Sequence, residues 1–100
     1  MSKWYNEDVQ VLFEAVLSLR SQEECKAFFA DVCTVKEIID LSQRLKIAGM
    51  LRKKTSYAAI TQEIGVSTAT ISRVSRCLDY GEGGYDLVLN RLKEQGTEKA

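Results

Sequence analysis

The side chains with the most chemical content lie close together. Thr68, Ala69, Ser72, Arg73 and Arg76 recur at three- and four-residue spacings, so on a helix they share one face. Small hydroxyl and methyl groups let a helix sit deep in a major groove of duplex DNA. There Thr, Ser and Ala touch base edges or a thymine methyl, and Arg bonds guanine or phosphate. Ser67 and Thr70 lie in the same stretch, and the basic run Arg52, Lys53, Lys54 stands upstream, where it suits phosphate contacts that set register. These ten residues form a candidate DNA-binding set.

That face needs a scaffold, and residues 57–77, YAAITQEIGVSTATISRVSRC, have the parts. Tyr57 to Ile64 reads as a short helix. Gly65 supplies the left-handed turn residue after it. Ser67 caps a second helix running to about Leu78. Ile60, Ile64, Val66, Ile71 and Val74 are spaced to form a small shared core. Together these are the requirements of a helix-turn-helix.

The charges agree with this placement. The 100 residues carry 14 Lys+Arg and 14 Asp+Glu. Residues 1–43 hold 4 basic and 8 acidic groups, residues 44–76 hold 7 and 1, and residues 77–100 hold 3 and 5. A basic middle between acidic ends is the footprint of a nucleic-acid contact confined to one module. Alone, a charge run is only a solvated face. The coincidence with the motif gives it meaning.

The remaining chain reads as helices too. Asn6 caps a first helix with the stripe Val9, Leu12, Phe13, Val16, Leu17. Ser21 and Glu24, then Thr34 and Glu37, form two capping boxes. They open a second helix (Cys25, Phe28, Phe29, Val32) and a third (Ile38, Leu41, Leu45, Ala48). Ser56 or Thr55 caps the helix at Tyr57. Tyr80 to Gly84 is expected to be a loop. A last helix carries Tyr85, Val88, Leu89 and Leu92, and the tail from Thr97 is expected to fray. Val11, Ala15 and Leu19 make the first helix apolar over a wide arc. It is either central to a monomeric core or wedged between two subunits. A core of this size favours the second reading.

Composition narrows the function classes. The chain is 45% hydrophobic and 28% charged, with no Pro and 6 Gly, as expected of one folded, all-α domain over residues 1–100. With no His, triads and His-ligated metal sites are excluded. No phosphate loop or cofactor motif is present, and an enzyme is not expected. Cys25, Cys33 and Cys77 form no zinc-ligand spacing. They read as buried, reduced thiols, a redox switch being the alternative. No apolar run approaches the ~20 residues of a membrane span, and no signal-peptide pattern opens the chain. A cytoplasmic location is expected.

From about Val9 to Leu92 the chain resembles the Trp repressor superfamily, most closely its short YerC/YecD-type members. The resemblance is strongest in Glu63-Ile64-Gly65 and Ala69-Thr70-Ile71-Ser72-Arg73. It implies a six-helix fold and an intertwined homodimer. It also implies repression at an operator with two-fold symmetry. The family's tryptophan pocket is matched by Thr34, Arg44 and Arg73, while Val74 stands where a glycine leaves room for the indole and Cys77 where a serine stands. That set is the possible effector pocket. A β-branched side chain in the indole slot implies that tryptophan does not bind, which leaves either no effector or an unknown one. Arg73 keeps two readings, ligand clamp or DNA contact.

The expected function is therefore a homodimeric, sequence-specific transcriptional regulator, a repressor by resemblance. The alternative is a helical protein-interaction adaptor that does not bind DNA.

Overall fold

A computed structural model describes residues 3–96, and the expected fraying from Thr97 lies outside these. Among the described residues there are six helices and no strand. They are α1 (Glu7–Leu17), α2 (Gln22–Val32), α3 (Val35–Arg52), α4 (Tyr57–Ile64), α5 (Thr68–Tyr80) and α6 (Gly84–Glu94). The chain divides into two compact units between Ile38 and Ile39.

Local hydrogen bonding sets the helix starts. The Asn6 side chain accepts from the N–H of Val9 at 3.0 Å. Thr34 and Glu37 close the full capping box: Glu37 N–H donates to Thr34 Oγ1 at 3.1 Å and Thr34 N–H to Glu37 Oε1 at 2.8 Å. At α2 the box is shifted by one residue. Ser21 Oγ accepts from Glu24 N–H, but the Glu24 carboxylate accepts from Arg20 N–H, at 2.8 Å, rather than from Ser21. Both arrangements satisfy orphan helix donors.

In the N-terminal unit, neither α1 nor α2 has a buried residue. Leu17 is 83% exposed and Val11 61%. The monomeric-core reading of α1 is overturned. Its stripe forms in register, but none of it is buried: Val9 and Val16 are half-buried, and Leu12, Phe13 and Leu17 are exposed. The expectation for the thiols also fails, because Cys25 and Cys77 are exposed and Cys33 is half-buried. Cys25 and Cys77 lie on exposed helix faces.

The C-terminal unit holds the core: Ile47 and Ala48 from α3, Ile60 from α4, Ile71 and Val74 from α5. Ile64, Val66, Leu78, Tyr85 and Leu89 pack against it. In α3 the consecutive residues Ile47, Ala48 and Gly49 are all buried, so this helix is enclosed on more than one side. The expected stripe caught Ala48 but missed Ile47, and Leu41 is 51% exposed. At the other end, α5 runs on to Tyr80, and Gly84 begins α6. The loop shrinks to Gly81–Gly83, since a helix terminus tolerates glycine better than its interior does.

Left-handed backbone occurs at Lys54, Gly65, Gly83 and Gly96 among the described residues, and two of these frame α4. Gly65, at φ 80, ends α4. The end of α3 is a Schellman turn: Thr55 N–H donates to the Met50 carbonyl and Lys54 N–H to the Leu51 carbonyl, each at 3.0 Å. Its left-handed residue is Lys54, at φ 65, where glycine is usual.

A Cβ added at Gly65 would meet nothing within 4 Å, so the cost of a side chain there is backbone strain alone. Gly65→Ala is expected to lower the free energy of unfolding by roughly 1–2 kcal/mol, measured by urea denaturation. Unchanged stability would mean that the turn does not need a left-handed residue.

Candidate nucleic-acid interface

Helix α5 is built so that one side is held and the other is free. Ser67 Oγ accepts from Thr70 N–H at 3.2 Å and lies 3.2 Å from Thr70 Oγ1. Both hydroxyls are thus engaged in starting the helix. Ile71 and Val74 are buried, at 0% and 2% exposure. Thr68, Ala69, Ser72, Arg73 and Arg76 are all exposed. α4 packs against α5 and contributes Ile60 to the same core. The held face fixes the helix, and the free one presents hydroxyls, a methyl and two guanidinium groups.

The basic residues divide into tied and free. Lys46 Nζ pairs with Glu63 at 3.4 Å. Arg52 is bound to α6: Nη2 donates to Asn90 Oδ1 at 2.6 Å, and Nη1 lies 3.5 Å from Asp86 Oδ1. Lys53 and Lys54, beside Arg52, are exposed. No ion pair or side-chain hydrogen bond involves Lys53, Lys54 or Arg76 among the described residues. Sequence reasoning grouped Arg52 with the two lysines. Its partners are 34 and 38 residues away, and no local pattern signals them.

The residues considered for an effector pocket belong to two different units of the chain. Thr34 belongs to the N-terminal unit, in the capping box of α3. Arg44, Arg73 and Cys77 all act electrostatically on Tyr85, which packs against the core containing Val74. Burial raises the Tyr85 pKa above its ordinary value of 10.0; Cys77 adds to the rise, and Arg44 and Arg73 oppose it. Tyr85 was not singled out from sequence as part of this cluster, because only the folded chain brings α6 to α3 and α5. A groove of about 350 Å³, lined by Leu51, Arg52, Lys54, Ser75, Leu78, Asp79 and Asp86, includes none of the expected effector residues. Among the described residues no group of three or more His, Cys, Asp or Glu side chains could hold a metal ion. No described helix is long and apolar enough to cross a membrane.

Comparison with known proteins places this architecture. The family model described as Trp repressor protein matches residues 7–93. This chain belongs to the Trp repressor family. A Bacillus subtilis (strain 168) relative, the uncharacterized protein YerC, is 48% identical over 100 residues, covering 100% of this chain and 96% of the relative. The crystal structure of a TrpR-like protein from Eubacterium eligens ATCC 27750 superposes with a TM-score of 0.88 at 50% identity, covering 91% of this chain and 94% of that one. A Staphylococcus aureus crystal structure gives 0.87 at 48% identity, with 91% of both chains covered. The all-α, Trp-repressor-like fold that the resemblance implied is the fold observed. The family match runs through both compact units, from the start of α1 into α6.

The raised Tyr85 pKa has a direction in stability. Above pH 10.0 the unfolded chain loses this proton before the folded chain does. Stability contributed by neutral Tyr85 is therefore complete below that pH and lost as pH rises through the folded-state value. Titration of tyrosine absorbance should show a component above 10.0 that Tyr85→Phe removes. Persistence of that component in the variant would assign it elsewhere.

Proposed function

We propose that this protein is a sequence-specific, DNA-binding transcriptional regulator that acts as a homodimer. It represses by occupying a palindromic operator and works in the cytoplasm. The observation that carries this reading is the division of α5. Ile71 and Val74 are buried while Thr68, Ala69, Ser72, Arg73 and Arg76 are exposed. That is the geometry of a helix offering hydroxyl, methyl and guanidinium groups to base edges. Membership in the Trp repressor family agrees with it and points to a regulator rather than an enzyme.

In this mechanism Lys53, Lys54 and Arg76 contact phosphates and set the register. Thr68, Ala69, Ser72 and Arg73 read bases. The unburied helices α1 and α2 support a dimer, because a second copy would cover apolar side chains that the single chain leaves in water. Two copies would then place two α5 helices about one helical turn apart on the duplex.

Tryptophan is not the effector in this reading. Val74, at 2% exposure, is part of the core, and by the resemblance it stands where a glycine would leave room for the indole. Isothermal calorimetry with tryptophan should show no binding. Micromolar affinity would overturn this part of the proposal.

Selection of binding sites from random duplex DNA, with no added ligand, is the experiment that tests the whole reading. A recovered palindrome with half-sites about one turn apart is the expected result. No enrichment, with affinity indifferent to salt, would favour the adaptor reading instead. On the recovered site, Arg73→Ala should weaken specific binding by about 1–3 kcal/mol and relax one base preference. A folded variant with unchanged affinity would show that Arg73 does not touch the DNA.

A further inference from the structure

We propose that the turn joining α3 to α4 is a built phosphate clamp, with Arg52 as its internal brace and Lys53 and Lys54 as the charges it presents. This rests on the DNA-binding reading above and adds a division of labour to it.

The brace is visible in the Arg52 bonds. Its guanidinium is held at two points of α6, by Asn90 Oδ1 at 2.6 Å and by the side chain and carbonyl of Asp86, each at 3.5 Å. An arginine tethered in this way offers α6 a planar fork and spends its charge on Asp86. Reaching a DNA phosphate would break these bonds. Lys53 and Lys54 have no such bonds to give up.

The second observation is the backbone of Lys54. It occupies the left-handed position of the Schellman turn at φ 65. Glycine adopts that conformation without a Cβ penalty. The Lys54 side chain is exposed and lines the groove that also holds Asp79 and Asp86, yet it forms no ion pair or hydrogen bond among the described residues. A left-handed residue without glycine's freedom is a pointer to function, and an unpaired ammonium is what this residue adds.

The third is position. Met50 and Leu51 precede the turn and pack against the core that holds Ile71 and Val74 of α5. Ser56 follows it and caps α4, accepting from Ala59 N–H at 3.2 Å. The turn is therefore anchored on both sides to the frame that carries the reading helix. Phosphate contacts made from it would fix the depth and register of α5 at little cost in ordering.

Non-specific binding to short random-sequence duplex DNA, measured across a range of salt, tests this proposal. Lys54→Gly should flatten the slope of log affinity against log salt by about 0.9 for each phosphate that is no longer neutralised. The same variant should melt higher, by roughly 4–8 °C for each kcal/mol of left-handed strain relieved. Lys53→Ala should flatten the slope with no gain in Tm. Asn90→Ala should leave the slope as in the wild type while affinity falls by about threefold through looser positioning, and Asn90→Asp should restore it. A wild-type slope in Lys54→Gly would overturn the clamp and leave the DNA-binding reading standing. A flattened slope in Arg52→Ala beside an unaltered Asn90→Ala would make Arg52 itself the phosphate contact and overturn the division. Absence of salt-dependent DNA binding by the wild-type protein would remove both readings together.

Discussion

Everything that positions α5 passes through five buried residues. Ile47, Ala48, Ile60, Ile71 and Val74 come from three helices and meet in one cluster. Each large aliphatic side chain buried there contributes about 1.5–3 kcal/mol. The direction of that burial matters as much as its size. Because Ile71 and Val74 are held from one side, the opposite side of α5 is fixed as its solvent face. Gly65 allows this geometry by turning the chain sharply between α4 and α5. Ser67 then starts α5 at a defined residue. An open α5 face is thus a consequence of how little core there is and where it sits.

Local rules were legible in the residues. Asn6, Ser21, Thr34 and Ser67 all cap helices where short-range chemistry placed them, and of the two candidates before α4 it is Ser56 that caps. Gly65 is left-handed as its position demanded. Ile60, Ile71 and Val74 are buried as their spacing required. What the residues did not disclose depends on distance along the chain. Arg52 reaches α6 across more than thirty residues, and Tyr85 meets the field of Arg44 and Arg73 only after α6 folds back. The burial of Ile47 was hidden because α3 changes character along its length. Its N-terminal part bears a one-sided pattern, while its C-terminal part is enclosed. A periodicity averaged over 18 residues blends the two.

The N-terminal unit follows a different physical logic. Its helices are well capped and carry regular apolar stripes, yet none of their residues is buried. Aromatic side chains associate locally: Trp4 with Tyr5, Tyr5 with Phe13, and Phe28 with Phe29 at a centroid distance of 5.4 Å. Such pairings recover little of the free energy that full burial of the same side chains would give. Helices of 11 residues are marginal in isolation. Their stability must come from tertiary or quaternary cover, which the proposed homodimer would supply with the same sequence pattern twice.

Charge and structure together refine the footprint seen along the chain. The excess of positive charge in residues 44–76 counts every basic group equally, whereas the fold does not. Lys46 is balanced by Glu63 and Arg52 by Asp86. Arg44 and Arg73 share the field around Tyr85. The charge still available to an incoming polyanion is concentrated at the α3–α4 turn and along α5, with Lys53, Lys54, Arg73 and Arg76 exposed. Unpaired surface charges act through solvent and are weakened by salt. Those without an internal partner have no bond to give up when another charge approaches. Tying Arg52 inward and leaving the lysines beside it free therefore does two things with one basic run: it fastens α6 to α3, and it leaves two exposed positive charges at the turn that leads into α4.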